Sequence, residues 1–258
     1  MKAYRVHEYG DTAKFVKDEV NKPIAKKGHV VVEVKASSLN PIDHKLLKND
    51  LGINPALPGI LHMDVSGVIT EVGEEVTAFK VGDDIFGCAG GLQGEAGLIQ
   101  GALADFMLVD SNLIALKPKS LGFAESAALP LVTITAWEGL FDRAYIKKED
   151  HILIHGGAGG VGHIAIQLAR HHGARVATTV SSEGKAKIAR ELGAEDIIFY
   201  PKEKVKDYTQ RLTKGKGFDV VFDTIGADNL DKSLDAAKVS GQVISIIGSN
   251  KHDLTPMH

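Results

Sequence analysis

From His151 to the end of the chain, short apolar runs and helix-like stretches alternate without a break. "HILIH", "ARVATTV", "EDIIF", "FDVVFDT" and "GQVISII" read as strands, apolar nearly throughout, as strands covered on both faces must be. Between them, "GGVGHIAIQLARHHG", "SEGKAKIARELG", "KDYTQRLTK" and "NLDKSLDAAKV" read as helices, the first closed by Gly173. Strands joined in this way by helices form a parallel sheet with right-handed crossovers and helices on both faces. Residues 151–258 are therefore expected to be a doubly wound α/β domain with five strands, one fewer than the usual six.

The first strand–helix junction of that domain reads "HGGAGGVG", His155 to Gly162. Gly156, Gly159 and Gly162 recur every third residue, directly after a strand and at the start of a helix, which is the context a dinucleotide fingerprint requires. Gly156 permits a tight turn. Gly159 and Gly160, with Val161, bring backbone N–H groups to a pyrophosphate, and Gly162 lets helix and strand pack closely. The helix N-terminus then faces the phosphate charge. The second strand runs into "SSEGK", so Ser181 and Ser182 stand where an NAD site carries Asp or Glu for the ribose hydroxyls. Small hydroxyls leave room for a 2′-phosphate and Lys185 can neutralise it, so the expected cofactor is NADPH. Tyr200, at the end of the third strand, is expected at the same end of the nucleotide.

Residues 1–120 have another texture. Short β-like runs, "KAYRV", "HVVVEVKAS", "DVSGVITEV", "DDIFG" and "ADFMLVD", are separated by Gly, Pro, Asn and Asp, the pattern of an all-β barrel or sandwich. Residues 121–150 are rich in Ala and Leu and read as a helical connector, with Pro130 as a kink or break. In a chain of 258 residues this gives two domains and a joint. Lys and Arg number 30 against 33 Asp and Glu, and they cluster nowhere, so no nucleic-acid partner is expected. No apolar run reaches the ~18 residues of a membrane span. The single cysteine, Cys88, rules out an intrachain disulfide and makes the cytosol the default location.

Taken together, these segments resemble the medium-chain dehydrogenase/reductase superfamily, and within it the zinc-independent quinone oxidoreductase (zeta-crystallin-like) branch. "SLNPIDHK" is similar to the branch's Asn-Pro-x-Asp segment, and "GVITEVGEEVTAFKVGDDIFG" to its Gly-x-x-x-x-Val-Gly…Phe-x-x-Gly-Asp block. "AALPLVTITAW" and "HGGAGGVG" resemble its connector helix and nucleotide loop. The resemblance implies a GroES-like β-barrel, a Rossmann NADPH domain, and a cofactor cleft between them. It implies that Thr135, Asn40, the Thr224–Ile225 turn after the fourth strand and the Gly248, Ser249, Asn250 turn after the fifth lie near the nicotinamide. It also implies a sixth strand, often the pairing strand of a homodimer, and a return segment. Both are expected to be absent here, which exposes the fifth strand as an edge.

One stretch tests the metal question. "GILHMDVSG" sets His62 and Asp64 one residue apart, which by itself suggests a zinc pair. The resemblance to zinc-dependent relatives aligns their three catalytic ligand positions with Asn40, Met63 and Leu131, an amide, a thioether and an aliphatic chain. His62 is one residue out of register, and His44 lies on a separate loop. No catalytic metal is expected, and the stretch is expected to wall the cleft with Val65 and Val68 entering the barrel core. Without a metal, an acceptor that takes hydride directly is implied, a quinone or an α,β-unsaturated carbonyl. Its oxygen would be stabilised by the Asn40 amide, Lys45 or water, with Asp43 orienting the cluster. An enoyl-thioester reductase and a non-catalytic NADPH-binding protein are the alternative readings.

Overall fold

The structure, a computed structural model, describes residues 1–94, 97–98 and 101–248. The chain divides into two compact units, Met1–Leu131 and Val132–His258, and the division falls inside the stretch expected as a connector.

The first unit begins with an antiparallel pair, β1 (Lys2–Val6) and β2 (Phe15–Glu19). Then come β3 (His29–Ser37), α1 (Pro41–Lys48), β4 (Asp64–Val72) and β5 (Asp84–Cys88). A two-residue pair, β6 (Gln93–Gly94) and β7 (Gly97–Leu98), precedes β8 (Phe106–Asp110) and β9 (Ile114–Leu116). The main sheet is antiparallel in the order β8-β3-β4-β5-β9. Its core is built from Val30 and Val32 of β3, Val65 and Ile69 of β4, Ile85 of β5, and Met107 and Val109 of β8. Strand side chains alternate faces, so Val65 shares its face with Ile69 and not with Val68, which is only half-buried; the expectation for Val68 is corrected. The short helix α2 (Phe123–Ala127) packs on β3 and β4. Pro130 opens α3 (Pro130–Trp137), where the missing N–H costs no helical hydrogen bond.

The second unit continues from α3 through a π-helical turn, Glu138–Arg143, into β10 (His151–His155). The alternation read from the sequence follows: α4 (Gly160–His172), β11 (Arg175–Val180), α5 (Glu183–Glu191), β12 (Asp196–Phe199), α6 (Val205–Thr213), β13 (Phe218–Asp223), α7 (Asn229–Ala236) and β14 (Ala237–Ser245). The sheet is parallel in the order β12-β11-β10-β13-β14. Gly173 caps α4 in the left-handed region at φ +100°. The core joins Leu153, Ala177, Ile198 and Val221 from the strands to Tyr208 of α6 and Ala236 of α7.

One boundary differs from the sequence reading. "AKV" after Ala236 was expected to extend the last helix, and it belongs to β14. Ala236 is the last residue of α7 with a buried face to contribute, and Val239 is 91% exposed. Ala237 instead pairs with Phe218 in the parallel ladder, which a helix would forgo. Among the described residues, no helix is long and apolar enough to cross a membrane.

Candidate active site

The turn from β10 into α4 is held by its glycines. Gly156 adopts φ +71°, and its N–H donates to Thr179 Oγ1 at 3.0 Å. Gly159 N–H closes the turn on Gly156 O at 2.8 Å. At Gly162 a Cβ would lie 2.2 Å from that same carbonyl oxygen, so the close packing expected there requires glycine. Gly157, which the spacing did not single out, is as constrained: a Cβ would lie 2.1 Å from Thr178 Oγ1. Gly160 differs, since its Cβ would meet only Val132 Cγ1, at 3.6 Å. The glycine-capped start of α4 leaves its first backbone N–H groups without helical acceptors.

Beside this turn, at the C-terminal ends of the strands, lies a cavity of about 660 Å³. His155, Thr179, Tyr200, Tyr208, Ile225 and Lys232 are among its lining residues. Thr179, His155 and Asp223 form a row across β11, β10 and β13, since His155 pairs with Asp223 and bonds Thr179 Oγ1 at 3.2 Å. Asp223 is fully buried. It accepts from the N–H groups of Ile225 and Gly226, from Asn229 Nδ2 and from Ser233 Oγ at 2.8–3.1 Å. Burial alone would raise its carboxyl, but these donors hold it below the usual carboxylate range. Burial pushes the His155 imidazole down to about 4, so the ring is neutral at pH 7. Thr224 Oγ1 donates to His155 O at 2.7 Å, which ties the turn after β13 to the glycine turn.

Ser182 is the N-cap of α5, its Oγ accepting from Lys185 N–H at 3.4 Å. Ser181 is half-buried, and Ser182, Lys185 and Tyr200 are exposed. Tyr200 lines the cavity, whereas the two serines and Lys185 lie outside its wall. Thr135 is half-buried on α3, and Gly248 is exposed. Ser249 and Asn250 lie outside the described residues.

In the first unit, a polar cluster surrounds the start of α1. Asp64 is fully buried. Its Oδ2 accepts from Ser38 Oγ at 2.6 Å and Asn40 Nδ2 at 2.8 Å, and its Oδ1 from Leu131 N–H at 2.9 Å. Asn40 Nδ2 also donates to Ser38 Oγ at 3.0 Å, so both amide hydrogens are engaged. The Asn40 N–H donates to Asp43 Oδ2 at 2.7 Å, capping α1. Burial, reinforced by the neighbouring Asp64 charge, pushes the Asp43 carboxyl up to about 6. Burial likewise raises Asp64 despite its donors. Burial and the Asp64 and Asp43 charges push the Cys88 thiol up to about 12, which leaves it unreactive. Lys45 stands apart on the exposed face of α1. His62 bonds Ser37 Oγ at 3.0 Å rather than joining Asp64. Among the described residues, no three His, Cys, Asp or Glu side chains gather into a metal-binding group.

Asp64, Ser38, His155, Thr179 and Asp223 were missed as partners of the two sites. The available signal was a polar residue in an otherwise apolar strand next to a motif, as with His155 before the glycines.

Two family models match: "Alcohol dehydrogenase GroES-like domain" over residues 26–119 and "Zinc-binding dehydrogenase" over residues 160–257. The chain is 38% identical over 253 residues to 2-methylene-furan-3-one reductase of Solanum lycopersicum, covering 96% of this chain and 63% of that protein. It is 31% identical over 250 residues to quinone oxidoreductase of Pongo abelii, covering 96% of this chain and 73% of that protein. The crystal structure of Escherichia coli quinone oxidoreductase complexed with NADPH superimposes with a TM-score of 0.84 at 28% identity, covering 100% of this chain and 77% of that one. The chain thus spans less than two thirds of the tomato reductase it matches. Asn40, Met63 and Leu131 do not form a zinc donor set, the "Zinc-binding" description of the second model notwithstanding. With a GroES-like first domain, a Rossmann-type parallel sheet in the second and these relatives, the chain belongs to the medium-chain dehydrogenase/reductase superfamily, in its quinone oxidoreductase branch.

Proposed function

We propose that this chain is an NADPH-dependent, zinc-independent reductase of quinones or α,β-unsaturated carbonyls. The observation that carries the reading is the β10–α4 turn, with its unpaired helical N–H groups, beside the cavity at the strand ends. Gly159, Gly160, Val161 and Gly162 hold the pyrophosphate there, and the cavity takes the adenosine half. Ser181, Ser182, Lys185 and Tyr200 receive the 2′-phosphate, the lysine matching its charge. Thr135, Thr224, Ile225, Gly248, Ser249 and Asn250 serve the rest of the cofactor. When bound, NADPH supplies the hydride that the acceptor takes. Asn40 and Asp43 shape the acceptor site. Because Asn40 gives both amide hydrogens to Ser38 and Asp64, the donors left for the acceptor's oxygen are Lys45 and water. Cytosolic residence and a homodimer complete the reading. The test is NADPH oxidation against a panel of quinones and enones, with and without chelator. Turnover that persists in chelator and prefers NADPH supports the proposal; loss of activity in chelator, or a preference for NADH, overturns it.

A further inference from the structure

His155 is an unfinished member of the row behind the cavity. It is 3% exposed, it lines the cavity, and its Nε2 has no hydrogen-bond partner among the described residues. A buried polar atom left without a partner is costly, and such atoms call for an explanation.

The state of the ring follows from its neighbours. Thr179 Oγ1 lies 3.2 Å from His155 Nδ1 and already accepts the Gly156 N–H. Nδ1 is the one acceptor that the described residues offer to the hydroxyl's own hydrogen, and a hydroxyl that donates to Nδ1 leaves the proton of the neutral ring on Nε2. The charged groups nearby do not claim that proton. Asp223 takes three donors on Oδ1 and Ser233 Oγ on Oδ2, His155 Nε2 makes no hydrogen bond to it, and Lys232 offers only hydrogens. His155 thus keeps a buried N–H donor without a partner, on a residue that lines the cavity together with Tyr200 and Ile225, whose aromatic and aliphatic surfaces suit a flat base.

We propose that His155 Nε2–H is a specificity-determining donor that binds an acceptor atom of the adenosine half of NADPH. This rests on the reading of the cavity as the adenosine end of the cofactor site. The Thr179 hydroxyl fixes the tautomer, and the same hydroxyl anchors the glycine turn, so one side chain sets both the turn and the donor.

The test is equilibrium titration with NADPH of the natural chain, His155→Leu and His155→Gln, alongside Ile225→Trp, which fills the cavity. His155→Leu is expected to raise the dissociation constant about tenfold, the effect of one buried hydrogen bond. His155→Gln, which keeps an N–H donor at that reach, is expected to recover most of the affinity. In the intact natural chain, the histidine 15N spectrum should show a protonated Nε2 on His155 whose resonance moves when NADPH is added. A His155→Leu affinity within about twofold of the natural chain, or an unmoved resonance, overturns the donor assignment. If Ile225→Trp leaves NADPH affinity unchanged, the reading of the cavity fails instead.

Discussion

Alanine at Gly162 should separate what the glycine turn does for stability from what it does for binding. Gly162 lies in the first turn of α4, where the preference for Ala over Gly is at most about 1 kcal/mol, the value of a helix interior. Here the new Cβ would sit 2.2 Å from Gly156 O, 2.8 Å from Gly156 C and 3.0 Å from Gly157 Cα. The first contact is roughly 1 Å short of van der Waals separation. All three atoms are backbone, so no rotamer change relieves them. The turn itself has to open, against the Thr179 bond to Gly156 N–H and the Gly159 bond to Gly156 O. Overpacking costs about 1–3 kcal/mol and a lost hydrogen bond about 1 kcal/mol. Offset by helix propensity, the net is a loss of about 1–3 kcal/mol. At about 2–4 °C per kcal/mol for a chain of this size, thermal unfolding followed by circular dichroism should fall by about 2–12 °C. Gly160→Ala is the control. Its Cβ meets only Val132 Cγ1 at 3.6 Å, so it should melt at or above the natural chain. NADPH titration should nonetheless weaken, because a methyl group then stands in front of the N–H groups proposed for the pyrophosphate. A Gly162→Ala chain that melts as high as Gly160→Ala would refute the steric argument.

The polar cluster at α1 gives three further expectations. Asp43 has its carboxyl raised to about 6, so the folded chain holds that proton more tightly than the unfolded chain does. Its contribution to stability therefore falls as pH rises from about 4 through 6, and Asp43→Asn should gain on the natural chain across that window by at most about 3 kcal/mol. Urea unfolding at several pH values reads this; a gap that does not change with pH would count against it. Asp64→Asn puts an amide hydrogen against groups that already donate, and should cost about 2–3 kcal/mol by the same assay. A cost near zero would mean that the cluster rearranges freely. With its thiol at about 12, Cys88 should react with iodoacetamide about a thousandfold more slowly than free cysteine near pH 8, and rapidly once unfolded. Fast alkylation of the folded chain would show that burial and the neighbouring carboxylates do not suppress the thiolate.

The second unit was legible because its signals are local. A strand buried on both faces must be apolar along its length, and a glycine turn must follow it immediately, so β10 through β13 and the α4 cap could be read residue by residue. The end of α7 was misread because Ala237–Val239 carry acceptable helix formers, while the pairing of Ala237 with Phe218 of β13 is a contact between residues far apart in sequence. The same limit hid the row Thr179, His155 and Asp223. Each sits on a different strand, and only the parallel register brings them level.

Asp64 shows why composition of a motif is a weaker guide than register. Beside His62 it looks like half of a metal pair, yet the two side chains part, His62 to Ser37 and Asp64 inward. Of the three positions aligned with zinc ligands, two turn toward Asp64: Asn40 through its amide and Leu131 through its backbone N–H. The buried carboxylate is thus met by neutral donors, which stabilise its charge only in part; its pKa remains raised. Substituting Asn40 alone by Cys would remove an amide donor from Asp64 without supplying a second or third ligand. Such a chain should lose stability and acquire no firm zinc site. Regaining a metal centre would require Met63 and Leu131 to change as well, together with the hydrogen bonds that now converge on Asp64.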